Sequence, residues 1–322
     1  MSLLSFEDLH VDFDTPEGMV HAVNGVSFEI GSGECVGIVG ESGSGKSQTF
    51  MAAMGLLAGN ARTSGRILFQ GKQLLGLTQP ELNQYRGTAL SMIFQDPLSS
   101  LTPNVRIGRQ LSEVLTVHRG ASRRTAATRS LEMLESVRIS EPAKRMRQYP
   151  HELSGGMQQR VMIAMALLGE PAVIIADEPT TALDVTIQAE ILGLFKQTQR
   201  EARTAIFLIT HDLGIVAGIC DRVLVMYAGR IVEEGTTADI FRRAQHPYTQ
   251  ALLGSIPRML DSVAEPLTVI PGQAPSPLSI TAGCAFMPRC AHAMDRCGTQ
   301  RPQLRPCTAR SGAAACHLGV ES

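Results

Sequence analysis

"ECVGIVGESGSGKS", Glu34 to Ser47, decides the fold. Its first half is an apolar run without alternation, the pattern of a strand buried on both faces. Its second half, "GESGSGKS", fits the phosphate-loop pattern: glycines let backbone N–H groups turn inward around phosphate oxygens, and the helix that follows adds its dipole. The nucleotide-holding residues read from this stretch are Gly40, Ser42, Gly43, Ser44, Gly45, Lys46 and Ser47, with Gln48 just beyond. Lys46 is placed to reach the β and γ phosphates, and the Ser47 hydroxyl to ligate Mg²⁺. Phe50, Met54 and Leu57 then make a helical stripe expected to pack into the core.

Two more buried strands repeat the design. "VIIADEP" ends in Asp177 and Glu178, whose side chains point to opposite sides if the segment stays extended. One carboxylate can then serve the magnesium shell and the other can polarise a water, a division suited to hydrolysis. "LITHD" delivers His211 to a strand end, where a sensor of the γ-phosphate is expected. A second anion-receiving feature is "LSGGMQQR", Leu153 to Arg160. Ser154 is a good N-cap, and Met157, Val161, Ala164, Met165 and Leu168 give the following helix an apolar face. It presents free N–H groups but no lysine, and one nucleotide cannot easily span both cradles. Two ATPase domains arranged head to tail, each offering this helix to the other's ATP, satisfy both.

The chain as a whole has 322 residues, 44% hydrophobic and 18% charged, with a net charge of −1. That charge provides no global field for nucleic acid or anionic lipid, so no nucleic-acid partner is expected. The basic run "HRGASRRTAATR", His118 to Arg129, reads as a solvated helix face or loop. No apolar run approaches the roughly 20 residues of a membrane span, and the N-terminus does not look like a leader; the expected place is the cytoplasm, with membrane contact through partners. Residues 1–244 alternate strands and amphipathic helices, an α/β pattern, with a helical subdomain at about 98–165 where strand signals vanish. Residues 245–322 hold nine of the 17 prolines and five of the seven cysteines. Proline at that density forbids long helices and central strands, so a loop-rich extension is expected.

"GESGSGKS", "FQDP", "LSGGMQQR", "IIADEPTTALD" and "LITHD" occur in the order and spacing of the ATP-binding-cassette (ABC) ATPases, and the chain resembles that family over about residues 1–240. The resemblance implies a P-loop NTPase core, ATP with Mg²⁺, and ATP hydrolysis. It implies that Phe13 stacks on adenine and that Gln95 contacts Mg²⁺ and water while sensing the transporter. Glu178 becomes the general base. Ser154, Gly155 and Gly156, with Gln158 in the same motif, bind ATP in trans, and Asp184 belongs to the loop linking two halves. Thr181 stands where the family usually has serine. The tail narrows the resemblance: "HPYTQALLGSIP" (His246 to Pro257), "GCAFMPRCAHAMDRC" and "ACH" are similar to ATPase subunits of oligopeptide and dipeptide importers, a group with relatives serving nickel and other substrates. It implies a second, non-identical ATPase subunit, two transmembrane permeases, indirectly a substrate-binding protein, and a peripheral place on the cytoplasmic face of the inner membrane. A soluble ABC ATPase of DNA repair or translation, or a redox-regulated module, are the competing classes.

Cys35 and Cys220 read as small core residues. The five tail cysteines stay open among an iron–sulfur cluster, zinc and unligated thiols, since their spacing lacks a C-x₂-C pair and matches no ferredoxin pattern. The resemblance picks Cys284, Cys290, Cys297 and Cys316 as holders of a [4Fe–4S] cluster, with Cys307 the spare. His292 and His317 read as exposed polar residues.

Overall fold

The computed structural model describes residues 2–255, 270–278, 282–308 and 310–318; Ile256 and Pro257, which end the tail stretch quoted above, lie outside them. In chain order the strands are β1 (Leu4–Thr15), β2 (Gly18–Ile30), β3 (Cys35–Val39), β4 (Ala61–Phe69), β5 (Lys72–Gln73) and β6 (Leu90–Ile93). They continue with β7 (Val173–Asp177), β8 (Ala205–Ile209), β9 (Arg222–Tyr227), β10 (Arg230–Thr236), β11 (Arg305–Pro306) and β12 (Ala313–Ala314). The chain divides into two compact units.

One unit comprises residues 2–29, 36–76 and 210–322. Its antiparallel part runs β2-β1-β4-β5. In β1 the buried positions are Leu4, Phe6, Leu9 and Val11, so strict alternation breaks once. The break is a bulge: register with β4 shifts between Glu7 and His10, and Asp8 has φ +46°. One extra residue there keeps apolar side chains inward on both sides of it. Phe6 stacks on Phe28 at 4.3 Å between ring centroids, and Phe50 meets Phe6 edge-on at 5.7 Å. Phe50 lies on the helix Lys46–Met54, so this aromatic cluster fixes the helix that follows the phosphate loop. That helix ends at Gly55 (φ +60°), which leaves Leu57 beyond it; the expected stripe stops at Met54.

The same unit holds β3 against β9 in parallel, then β10, β12 and β11 in antiparallel pairs. The tail therefore contributes strands after all, but only two-residue ones added outside β10. They are secured by an ion pair between Arg310 and Glu233, both fully buried. Glu233 also accepts the backbone N–H groups of Gln245 (2.7 Å) and His246 (3.0 Å). His246 caps the helix Pro247–Gly254 by accepting the Tyr248 N–H at Nδ1 (3.0 Å), with Pro247 in the first turn. Burial pushes the imidazole down to about 4, so it is neutral and can accept.

The other unit comprises residues 30–35 and 77–209. Here β6, β7 and β8 run in parallel with every residue buried, as the apolar runs of β8 and of β7 up to Ala176 require, while β6 also buries Ser91. Among the described residues no strand lies between Ile93 and Val173; helices fill that stretch. Ile107–Arg119 buries Ile107, Leu111 and Leu115 at a four-residue spacing, and Val185–Glu201 buries Ile191, Phe195 and Gln199 likewise. The basic run is exposed, as its sequence implies: His118, Arg119, Arg123, Arg124 and Arg129 all meet solvent, and two of them are also paired. Arg119 donates to the carbonyls of Gly169 and Glu170, and Arg129 pairs with the Glu170 carboxylate. Gly155–Leu168 departs from expectation: Met162, Ile163, Ala166 and Leu167 are buried alongside Val161, Ala164 and Leu168, so past its first turns it is enclosed on all sides. Cys35 and Cys220 are buried, as small apolar residues would be. Among the described residues no helix is long and apolar enough to cross a membrane.

Removing one member of a buried pair leaves its partner's charge uncompensated. Arg310→Ala is therefore expected to cost about 3–5 kcal/mol of unfolding stability. Chemical denaturation of the variant measures it, and a loss below about 1 kcal/mol would mean that the two N–H donors on Glu233 suffice.

Candidate nucleotide site

The phosphate loop is shaped by close backbone approaches. Gly40 (φ +152°) lies where a Cβ would stand 2.2 Å from the Met226 carbonyl oxygen, and Gly45 (φ +96°) where one would stand 2.3 Å from that of Ala22. No side chain fits either position, so the strands β2 and β9 mould the loop directly. Gly45 is the N-cap of the helix Lys46–Met54 and Ser44 is buried, while Ser42 and Gly43 are exposed. The Lys46 ammonium folds back over the loop, donating to the carbonyls of Gly40 (2.8 Å) and Glu41 (2.9 Å) and to Ser44 Oγ (3.3 Å). Ser47 and Gln48 are half-buried in the first turn. Phe13 is a half-buried residue of β1, opposite Ala61 of β4. His211 is exposed and directly precedes Asp212, which caps the helix Leu213–Ile219.

In the other unit Asp177 ends β7 and is buried. Glu178 is not extended: its φ is +49°, so the alternation argument for the two carboxylates fails at that residue, and a backbone turn sets its direction. Its N–H donates to the Ile209 carbonyl (2.8 Å). Its Oε2 accepts from Gln95 Nε2 (3.2 Å) and from the Thr181 hydroxyl (3.1 Å). Thr181, where the family usually has serine, thus places its hydroxyl on Glu178, a contact that nothing in the local sequence signals.

Ser154 caps the helix Gly155–Leu168 by accepting the Met157 N–H, and both Ser154 and Gly155 are exposed at its start. A Cβ on Gly155 would meet nothing within 4 Å, whereas one on Gly156 would approach the Ala182 carbonyl at 3.1 Å. Gln158 is placed differently from the expectation of a ligand contact. It is buried and donates to the carbonyls of Pro150 (2.8 Å) and Leu153 (3.2 Å), bracing the turn behind the glycines. Asp184 caps the helix Val185–Glu201, accepting the Ile187 N–H (3.0 Å).

Cys284, Cys290, Cys297 and Cys316 line one pocket with His292 and Met294. Burial pushes the thiols of Cys284, Cys290 and Cys316 up, and each of these three also feels at least one other thiol of the set. Cys307 stands apart, with Arg310, Glu233 and Asp239 as its charged neighbours. His317 is engaged with the Gln300 carbonyl (2.9 Å). Among the described residues no three Cys, His, Asp or Glu side chains converge as a metal ion requires, so neither zinc nor an iron–sulfur cluster is displayed by the geometry.

A family model described as "ABC transporter" matches residues 23–181, and one described as "Oligopeptide/dipeptide transporter, C-terminal region" matches residues 232–297. The oligopeptide transport ATP-binding protein OppD of Salmonella typhimurium is 55% identical, the match covering 93% of this chain and 89% of that protein. The dipeptide transport ATP-binding protein DppD of Bacillus subtilis is 52% identical, over 93% and 90%. This chain belongs to the ATP-binding subunits of the oligopeptide/dipeptide ABC transporter family. Its fold is the ABC-type P-loop NTPase fold. The cassette MJ0796, in a dimeric post-hydrolysis state bound to ADP and Pi, aligns with a TM-score of 0.67 at 28% identity, covering 73% of this chain and 98% of that one. CbiO1 of Clostridium perfringens aligns with a TM-score of 0.61 at 31% identity, covering 75% and 91%. Like its family, this ABC protein is an ATPase, and ABC ATPases bind ATP with Mg²⁺.

A methyl group at Gly45 must displace the Ala22 carbonyl or distort the loop. Gly45→Ala is expected to weaken ATP binding by about 100-fold or more, equal to roughly 3 kcal/mol of strain at a left-handed backbone position. Titration with a fluorescent ATP analogue checks this, and wild-type affinity would contradict the loop assignment.

Proposed function

We propose that this chain is the ATP-hydrolysing subunit of an importer for oligopeptides or dipeptides. The observation that carries the reading is that the OppD and DppD proteins align over about nine-tenths of both chains, tail included. A soluble or nickel-directed ATPase is not favoured by these relatives. A second ATPase subunit completes the site, and two permeases and a substrate-binding protein supply the transport path; the chain then works on the cytoplasmic face of the membrane.

Each part takes the role that the resemblance to the family implies for it. The loop from Gly40 to Ser47 wraps the phosphates, and Lys46 exchanges its carbonyl partners for phosphate oxygens. Phe13 offers its ring to the adenine. Ser47, Gln95 and Asp177 would hold Mg²⁺, which when bound neutralises charge on the phosphates. Glu178 orients and deprotonates the attacking water, and exposed His211 senses the γ-phosphate. The exposed start of the Gly155–Leu168 helix, with Gly155 unobstructed, faces outward to receive a phosphate carried by the partner subunit. Closure of two subunits around two ATPs, and reopening after hydrolysis, is then a ligand-controlled two-state switch passed to the permeases through Gln95. The dimeric cassette MJ0796 holding ADP and Pi supports such a two-chain clasp.

A narrower reading concerns the tail. Four thiols around one pocket are the soft donor set that an iron–sulfur cluster takes, and Cys284, Cys290, Cys297 and Cys316 would hold it. Such a cluster would cross-link a segment too rich in proline to secure itself.

Three measurements test these assignments. Glu178→Gln should bind ATP with near-normal affinity, lose at least about 100-fold in turnover and accumulate a closed dimer on sizing columns; brisk turnover would remove it as the base. Ser154→Arg should impair hydrolysis chiefly at the partner's site in mixed-subunit assays, and a defect confined to its own site would contradict the trans arrangement. Anaerobically purified protein should contain iron and labile sulfide, lost in Cys297→Ser and kept in Cys307→Ser; equal content in both variants would reject the four-cysteine set.

A further inference from the structure

The loop that wraps the phosphates is itself held from outside, at Glu41. The Glu41 N–H donates to the Tyr248 hydroxyl (2.9 Å). Its carboxylate receives a forked pair from Arg289, Nη1 to Oε2 at 2.8 Å and Nη2 to Oε1 at 3.0 Å. Its carbonyl accepts both the Lys46 ammonium (2.9 Å) and the Ser44 N–H (3.2 Å). The last two contacts lie inside the loop, whereas the first two both come from the C-terminal extension.

Arg289 is held on several sides. Its side chain is 6% exposed, against 27% for Glu41. Nε donates to the Pro271 carbonyl (2.8 Å), and Nη1 also reaches the Tyr227 hydroxyl (3.3 Å). The guanidinium lies 5.9 Å from the Tyr227 ring centre and 6.0 Å from that of Phe286. Tyr227, Tyr248 and Phe286 pack on one another at 4.6–5.4 Å between ring centres. A bidentate fork whose Nε and second Nη1 hydrogen are also engaged dictates direction as well as charge, which lysine could not supply. Arg289 also ends a single 3-10 turn, Met287–Arg289, and is followed at once by Cys290.

We propose that Arg289 is a positioning residue for the ATPase reaction. Acting through Glu41, it holds the phosphate loop in its nucleotide-receiving shape and ties that shape to the cysteine-bearing turn from Cys284 to Cys290. The inference rests on the reading of the Gly40–Ser47 loop as the phosphate cradle. Because the loop's own bonds survive without Arg289, its removal should loosen the cradle rather than destroy it. Binding of ATP then suffers while the chemical step, carried by other residues, proceeds.

The test is a double-mutant cycle in the full chain assembled with its partner subunits, reading the KM for ATP and kcat separately. Glu41→Ala and Arg289→Met are each expected to raise KM about five- to tenfold with kcat changed less than about twofold, the size of one net hydrogen bond, because the loop's own bonds remain. The double variant should match the single ones, since either change breaks the same link. Arg289→Lys should fall between, keeping charge but losing the fork. Should Arg289→Met fail to fold, Glu41→Ala, whose residue is the more exposed of the two, carries the test with Arg289→Lys. Lys46→Ala is the control for the cradle. If Lys46→Ala abolishes ATP binding while Glu41→Ala and Arg289→Met keep the wild-type KM, the proposal alone falls. A fall in kcat with KM unmoved, or single effects that multiply in the double variant, would overturn it equally. ATP binding untouched by Lys46→Ala would remove the cradle reading and the proposal with it.

Discussion

Two backbone carbonyls, Ala22 on β2 and Met226 on β9, stand so close to Gly40 and Gly45 that the phosphate loop has little freedom to be anything else. A loop that must aim several N–H groups at one point gains from such moulding, because its ordering entropy is then lost at folding and not again at binding. Each carbonyl belongs to a strand, and each strand has its own support. β2 belongs to the sheet whose bulged partner β1 buries Phe6 beneath the loop's helix, and β9 is flanked by β3 and β10. The accuracy of the cradle is therefore inherited from sheet packing, not from the loop's own few hydrogen bonds.

How far the sequence could be read depended on how local each feature is. The loop, the strand before it and the helix after it are contiguous, so their spacing alone was enough. The buried strands β3, β7 and β8 were legible for the same reason, as was the N-cap at Ser154, whereas the short β6 was not. Features set by distant partners were not. Glu178 looked extended because it follows a strand, but its N–H bonds to Ile209, and the backbone turns to φ +49°. Gln158 looked like part of a ligand motif, but the carbonyls of Pro150 and Leu153 claim its amide. The helix after Ser154 showed one apolar face, since alanine and methionine do not reveal which further sides a neighbour will cover. Nothing in "GESGSGKS" or "MPRC" announces that Glu41 and Arg289, 248 positions apart, form a fork.

The tail shows how a segment poor in regular structure can still be specific. Proline denies it long strands, so it adds two-residue strands outside β10 and relies on buried polar anchors instead. Glu233 and Arg310 are both fully enclosed, a costly arrangement unless the remaining lone pairs are used, and the Gln245 and His246 N–H groups use them. Those two residues begin the extension. The point where the chain leaves β10 and helix Thr237–Arg243 is thus clamped by the same carboxylate that receives Arg310 near its far end. A single buried acid sets both ends of the extension in register.

The same economy applies to Glu178. One oxygen, Oε2, accepts from both Gln95 and Thr181. Thr181 is three residues away in a tight turn and moves with Glu178, whereas Gln95 comes from the segment after β6 and is exposed. A displacement of that segment would break the 3.2 Å contact with Gln95 and leave the one with Thr181 intact. The carboxylate would then change its hydrogen-bonding without losing its place. For the base proposed above this distinction matters, since position decides whether the carboxylate can reach a water's proton and donor count decides how readily it takes that proton. The substitution of threonine for serine at position 181 fits that division, because the added methyl restricts the hydroxyl's rotamers and holds the constant half of the pair more firmly.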